Sequence, residues 1–429
     1  MTSFSTKRED IVRMMRENLD GRVLRALEAC GRVGDSKDTN TYVVGGFVRD
    51  LLMRRANLDI DVVVEGDGLA YSEALSQQTK GGLKTYGTFG TATINSEDGI
   101  RIDVGSARRE VYETSAALPE VSVGNLKDDM FRRDFTINSM AISLNGKSFG
   151  ELIDFFSGAK DLSRGVIRVL HDESFKDDPT RIMRAVRFEI RFGFTADEKT
   201  ERLLRDALSS KMLELLTPER KRYELELLFS EERPDLIAER MRDLGIFRHL
   251  ARGLKCPEKK VIRSIQNSIA EFGKRLKPKA WVVYTIAIAD SLPFSEAVAF
   301  GKSLALTKKQ IQKIIQVKMA KPEVRRLEGE DNMRPSLVYR ILRDLSAEAL
   351  VYLYSITKDE MARERFKEYV ESYRTKKTII TGEDIKRLGV TEGPIYSKIL
   401  KEVLNARIDG TVGTYEEEME LAKKIVESS

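Results

Sequence analysis

Two aspartates one residue apart at the head of a β-branched run, Asp59-Ile-Asp-Val-Val-Val64, constrain this chain more than any other stretch. Val62 to Val64 predict a strand, and on a strand that spacing turns the Asp59 and Asp61 carboxylates to one face and Ile60 to the other. Two convergent hard oxygen donors suit Mg²⁺ and make half of a two-metal phosphoryl-transfer site. Just upstream, Val43-Val-Gly-Gly-Phe-Val-Arg49 supplies a turn. Gly45 and Gly46 let backbone approach a ligand where a Cβ would block it, and Arg49 adds a cationic fork beside them. A glycine pair alone is an ordinary turn, and Asp-x-Asp alone is often a solvated strand end. Their order and close spacing carry the weight.

At 429 residues the chain predicts two to four domains. No window offers about 18 uninterrupted apolar residues and the first ten residues lack the apolar core of a signal peptide, so a cytoplasmic protein away from any membrane is expected. The only cysteines, Cys30 and Cys256, lie far apart and outside metal-ligand spacing. With His171 and His249 the only histidines, a His-Glu-x-x-His zinc site and a histidine-aspartate phosphohydrolase domain are excluded and no serine triad can be placed. Chemistry must run on carboxylates, cations and bound metal. Between Ala251 and Glu330 there are 17 Lys and Arg against 7 Asp and Glu, within a chain whose net charge is +5. Such asymmetry predicts a face for a polyanion, with Lys274, Arg275 and Lys277 as RNA-binding candidates; a Lys-rich soluble helical surface is the plain alternative.

Along the chain, residues 11–19 and 23–30 have helical spacing and precede the sheet. From Tyr42 to about Val169 the period is mostly two. Residues 62–64, 91–94, 100–104 and 141–144 predict strands, a helix over 69–79 separates the first two, and Asn145-Gly146 predicts a hairpin turn. Asp103 falls on a strand able to pair beside the aspartate pair. There it serves as a third metal ligand or base, or else anchors an arginine such as Arg108 or Arg109. Residues 107–120 are too broken for regular structure and too charged for a core, which predicts a mobile active-site loop or a surface excursion. In Phe131-Arg-Arg-Asp-Phe-Thr-Ile-Asn138, Arg132 and Arg133 can neutralise triphosphate oxygens or hold a ribose, with Asp134 and Asn138 orienting them.

Beyond Ser174 the pattern is helical. Asp178, Arg181, Arg184 and Arg187 recur every third residue, predicting a charged stripe on a helix that opens at Pro179 and turns Ile182, Met183, Val186 and Phe188 to a core. Such stripes usually end as solvated, ion-paired faces. Base-edge chemistry lifts this one above that: cytosine and adenine each show an amino donor beside a ring-nitrogen acceptor, whereas uracil and guanine show a carbonyl beside an N–H. A carboxylate at 178 beside a guanidinium at 181 complements the first two and repels the others.

Gly-Gly-x-Val-Arg-Asp, a short spacer, Asp-x-Asp on an apolar strand and Arg-Arg-Asp at 132–134 together resemble the nucleotidyltransferase superfamily, in particular class II tRNA nucleotidyltransferases (CCA-adding enzymes) and bacterial poly(A) polymerases. Asp177-Asp-Pro-Thr-Arg181 is similar to the family's Glu-Asp-x-x-Arg with Asp177 in place of Glu. Glu219-Arg220 through Glu224 resembles the helix that braces it, and Asp154 and Gly158 match the bending hinge between head and neck. Residues 380–394 and 414–418 look like the family's tail, with Ser397 where relatives often have Gly.

The resemblance implies an α+β fold, a nucleotidyltransferase-type α/β head followed by an all-α neck, body and tail. Its expected boundaries are an N-terminal helical extension 1–38, head 39–169, neck 170–232, basic body 233–335 and tail 336–429. It implies template-independent addition of CMP and AMP to the tRNA 3′ end from CTP and ATP, with pyrophosphate released. Two Mg²⁺ ions would sit on Asp59 and Asp61, with Asp103 as the third catalytic carboxylate. Gly45, Gly46, Arg49, Arg132, Arg133, Asp134, Asn138, Asp178, Arg181, Arg184 and Arg187 would bind nucleotide. The long loop after Ala107 counts against CC-only addition. An A-adding specialist and a poly(A) polymerase stay open, as does a tRNA-binding module with an inactive head, against which both aspartates stand.

Overall fold

The computed structural model describes residues 5–86, 90–117, 119–329, 332–390 and 393–428. Leu118 of the expected loop, Thr391 and Glu392 of the tail motif, and the first four residues of the N-terminal extension lie outside the described residues. The chain divides into two compact units, Met1–Arg220 and Lys221–Ser429. The expected head lies in the first unit, the expected body and tail in the second, and the division falls inside the expected neck.

The first unit is built on a seven-stranded sheet. Its strands are β1 (Thr41–Val44), β2 (Ile60–Val64), β3 (Gly82–Tyr86), β4 (Thr91–Asn95), β5 (Arg101–Ser106), β8 (Ala141–Ser143) and β9 (Leu152–Ile153), in the order β3-β4-β5-β2-β1-β8-β9. Strands β6 (Arg108–Val111) and β7 (Glu120–Val123) form a separate antiparallel ladder, and the short β10 (Val166–Ile167) and β11 (Thr195–Ala196) a separate parallel one. Within the sheet β2 and β5 run parallel, in a register that sets Asp61 directly opposite Asp103. Alternation along β2 sends Ile60, Val62 and Val64 to one side and Asp61 and Val63 to the other. On the second side Val63 packs with Val44, Leu126, Met130 and Ala141, which leaves the N-terminal end of that face for the carboxylates.

Helices α1 (Arg8–Asn18), α2 (Gly21–Ser36), α3 (Gly46–Leu52) and α4 (Gly68–Thr79) complete the core of the head. The Tyr71 hydroxyl of α4 donates to the Cys30 carbonyl of α2 at 2.6 Å, so neither buried polar group is left unpaired. Next come α5 (Leu126–Phe131), α6 (Gly158–Arg164), α7 (Ser174–Asp177) and α8 (Thr180–Phe192). The second unit is helical from Pro234–Asp243 to Tyr415–Glu427. Its helix Ala280–Ala289 is apolar on every side and buried from Trp281 to Ala289, the pattern of a helix surrounded by others. No described helix is long and apolar enough to cross a membrane. The α+β expectation, a sheet-based head before a helical remainder, is thus met.

Asn145-Gly146 lies, as expected, in the turn of an antiparallel pair, between β8 and β9, and the connection is longer than two residues: Asn145 precedes a short 3₁₀ turn, and its side chain accepts the Thr41 N–H at 2.8 Å and donates to the Thr39 carbonyl at 3.0 Å, tying two loops together. Three other local readings need correction. Residues 107–120 are not without regular structure, because both ends enter the β6–β7 ladder. Asp178 does not share the helical stripe, since α8 begins at Thr180 and Asp178 is extended (φ −133°, ψ 94°). Gly158 is not a bend. It opens α6 with both Asp154 oxygens capping the N–H groups of Gly158 and Ala159, and a Cβ on it would lie 2.1 Å from the Thr136 carbonyl oxygen. Close approach of backbone to backbone explains the glycine. Gly158→Ala is therefore expected to destabilise the protein by about 1–3 kcal/mol, read as a lower denaturation midpoint, whereas a hinge position would tolerate alanine.

Candidate active site

The carboxylates of Asp59, Asp61 and Asp103 offer oxygens that lie within 4.8 Å of one another. Asp59 precedes β2 and is exposed, while Asp61 and Asp103 are half-buried. Both readings of Asp103 are realised in part: it joins the triad, and it anchors an arginine, but the arginine is Arg101 (2.8 Å), with Thr93 donating to the same carboxylate. Arg108 pairs instead with Glu110. Burial pushes the Asp61 carboxyl up to about 6, with Arg133 pulling against it and Asp59 and Asp103 adding to it. Three oxygen donors without histidine or sulfur, one of them pushed toward protonation chiefly by burial, fit a hard divalent cation such as Mg²⁺.

That shift has a sign. An unfolded aspartate loses its proton near 3.8 and Asp61 in the fold near 6, so ionising it costs native stability as pH rises through that window and no further above it. A cation on the triad must displace the same proton. Its affinity is expected to rise up to about tenfold per pH unit below about pH 6 and to level off above, which calorimetric Mg²⁺ titrations from about pH 5 to about pH 8 would check.

Beside the triad a cavity of about 660 Å³ gathers Gly46, Arg49, Arg132, Arg133, Asp134, Asn138, Asp178, Arg181, Arg184 and Arg187 on its wall with Asp59 and Asp61. Gly45 is not among the residues on that wall. Its φ of +71° suits glycine, and a Cβ there would meet the Arg133 guanidinium at 2.4 Å. Asp103 does not line the cavity but reaches it through the triad.

The arginines are held by partners different from those expected. Asp129 of α5, fully buried, takes Arg132 at 2.7 Å and Arg133 at 3.0 Å. Burial alone would raise the Asp129 carboxyl, but the two guanidiniums hold it below its usual value. Asp134 orients neither of them. It receives Arg184 at 2.6 Å and Asn138 at 2.9 Å, and although burial opposes its charge these partners bring it down to about 2. Arg49 is buried, doubly bonded to Asp50 at 2.8 and 2.9 Å, bonded to Asn138, and stacked 4.6 Å from the Phe192 ring. Most of its donors are spent, so it braces the wall as well as facing the cavity. Arg133 keeps a buried Nε with no hydrogen-bond partner.

At the other end of the cavity Arg181 donates to Ser174 Oγ at 2.6 Å and to the Arg132 carbonyl at 2.7 Å, both neutral acceptors. Asp178 is held by the Thr180 N–H at 3.0 Å and by Arg220 at 2.5 Å. Arg220, expected as a bracing residue, thus touches the carboxylate itself. The sequence reading missed Asp129, Glu110 and Tyr112. The first stands three and four residues before the two arginines, but α5 ends at Phe131, so helical spacing does not by itself bring them together. Glu110 and Tyr112 line the cavity from β6 and the turn after it, and only the ladder reveals them.

The chain matches the model of the poly(A) polymerase head domain over residues 41–168 and that of a probable RNA- and SrmB-binding site of polymerase A over 193–256. The CC-adding tRNA nucleotidyltransferase of Deinococcus radiodurans is 30% identical over 385 residues, 89% of this chain and 88% of that one. This chain belongs to the tRNA nucleotidyltransferase family. Another relative, the A-adding tRNA nucleotidyltransferase of Geobacter sulfurreducens, is 38% identical over 433 residues, which are 99% of this chain but 49% of that protein, so the chain spans about half the length of that relative. Among solved tRNA nucleotidyltransferases, the Thermotoga maritima CCA-adding enzyme complexed with tRNA aligns with a TM-score of 0.80 at 33% identity. CCA-adding enzyme complexes with CTP and with ATP align at 0.82 and 0.83, with 32% and 33% identity. All three alignments cover 97% of this chain and 98% of the other.

Proposed function

We propose that the protein adds CMP and AMP to the 3′ end of tRNA in the cytoplasm, taking them from CTP and ATP without a template. The observation that carries this is what one cavity brings together: Asp59 and Asp61 of the carboxylate triad, Arg132 and Arg133, and the acid and guanidinium of Asp178 and Arg181. A nucleoside triphosphate needs the same three groups, metal-binding carboxylates for the reacting phosphate, guanidiniums for the other phosphates, and an acid beside a guanidinium for the base edge. Asp59 and Asp61, with Asp103 beside them, would hold two Mg²⁺ ions, which when bound supply Lewis-acid stabilisation of the phosphate charge. Arg132 and Arg133, fixed by Asp129, take the triphosphate oxygens. The RNA 3′-hydroxyl oxygen bonds to the α-phosphorus as the bond to the pyrophosphate oxygen breaks, and the hydroxyl proton passes to Asp103.

In the second unit Lys274 and Arg275 end helix Lys259–Leu276 and Lys277 follows it, all three exposed, with Arg275 paired to Glu371. We assign that basic end to tRNA phosphates. The Geobacter relative's name favours a second reading, addition of the terminal A alone. Incubating the protein with tRNA transcripts lacking one, two or three terminal nucleotides, with CTP, ATP or both, decides between them. Full restoration of each transcript supports CCA synthesis, extension only of the transcript lacking one nucleotide supports the A-adder, and long A tails support poly(A) synthesis.

A further inference from the structure

The sheet face that bears the triad continues into a second recess. Across the strands one row runs Lys84, Thr93, Asp103, Asp61, and the next runs Tyr86, Thr91, Gly105, Val63. Gly105 has no side chain to fill the middle of that second row, so the surface dips there into a trough of about 430 Å³. Tyr86, 43% exposed, lines it with Thr91, and Arg108 contributes from β6. The trough and the nucleotide cavity share Asp61, Arg132 and Arg133 and no other lining residue. They are two compartments meeting at the carboxylates.

The trough differs in chemistry from the cavity. It has an aromatic ring and a small floor, and its acid Asp103 is already engaged by Arg101 and Thr93. The acid and guanidinium it does hold, Asp103 and Arg101, are bonded to each other at 2.8 Å and so do not stand apart to read a base edge as Asp178 and Arg181 do. Aromatic stacking tolerates any base, because every base has a π-face. A growing RNA end needs that tolerance, since its last base changes with each addition.

We propose that this trough holds the 3′-terminal nucleotide of the RNA acceptor, with the base on Tyr86, the ribose over Gly105 and the terminal hydroxyl turned toward Asp61 and Asp103. The assignment rests on the nucleotidyl-transfer reading above. Tyr86 is then a substrate-binding residue, and Gly105 is small because a sugar occupies its place.

The test compares Tyr86→Ala, Tyr86→Phe and Gly105→Val in the full-length protein. A Cβ at Gly105 meets only Thr91 Cγ2, at 3.3 Å, and a β-branched residue suits a strand, so the fold should survive. Tyr86→Ala and Gly105→Val should each raise KM for the tRNA acceptor roughly tenfold or more, Tyr86→Phe should stay within about twofold of the unsubstituted protein, and CTP affinity by equilibrium titration should not move. Unchanged acceptor KM in both disruptive variants overturns the proposal, as does a parallel loss of CTP affinity. A tRNA whose 3′-terminal nucleotide is 4-thiouridine gives a readout that needs no turnover. Cross-links mapping to 82–86 or 101–106 support the trough, and cross-links elsewhere overturn it. Cross-linking at those residues by a protein that extends no tRNA would instead sink the transfer reading and leave the trough standing.

Discussion

Asp59→Ala and Asp61→Ala are each expected to reduce nucleotide addition at least about a thousandfold, roughly 4 kcal/mol of transition-state stabilisation, with tRNA affinity held within about twofold. The two measurements separate because, on the proposed reading, the carboxylates serve cations and phosphate chemistry, whereas the basic residues expected to grip RNA lie in the second unit. Asp103 should respond differently. Its carboxylate also accepts from Arg101 and Thr93, so Asp103→Asn keeps part of that local bonding while removing the charge. If Asp103 ligates or takes the proton, Asn is nearly as damaging as Ala. If it only anchors Arg101, Asn retains most activity. Single-turnover rates at saturating CTP and Mg²⁺, beside filter-binding affinities for tRNA, measure both sides. Substantial turnover in both the Asp59 and Asp61 variants would remove these residues from the chemistry.

How far such a site shows in a sequence depends on how local its causes are. Asp59 and Asp61 were legible because a strand's period of two is set by neighbouring residues, and β2 lies where the valines demand. The α4 helix and the strands β4 and β5 were legible for the same reason. Strand β3 was not: all five of its residues are exposed, so no burial pattern marks it, and it exists through pairing with β4. Strands β6 and β7 escaped for a similar reason, since their charges are satisfied across space, as when Glu110 takes Arg132, 22 residues on. The partners of the arginines were the least legible part. Nothing in the spacing of residues 132–134 says that Asp134 should turn away to Arg184, 50 residues on, while Asp129 takes the arginines. Side-chain pairing follows the direction of each helix and turn, and short motifs do not encode it.

The same distinction governs nucleotide selection, where Arg181→Ala is expected to lower kcat/KM for CTP and for ATP together by roughly 10- to 150-fold, about 1.5–3 kcal/mol for a lost charged hydrogen bond. Discrimination against UTP and GTP should shrink at the same time, because the guanidinium that faces their N–H donor is gone. The structure sharpens this expectation. Arg181 is buried and held by the neutral Ser174 hydroxyl and the Arg132 carbonyl, while Asp178 is held by Arg220 and Thr180, so each keeps its place without bonding to the other's side chain. On the proposed reading, a base edge inserted between them meets two groups that the protein already holds in place. Arg181→Lys should not restore activity, since a point charge lacks the planar fork that fixes the donor's direction. Arg220→Ala should cost less than Asp178→Ala on CTP and ATP, because it frees the carboxylate without removing it. The decisive set is kcat/KM for all four nucleotides in these variants and in the unsubstituted protein. A uniform loss across the four would mean that Arg181 serves only to tie α8 to the Arg132 carbonyl, and the base would have to be read by another group on the cavity wall.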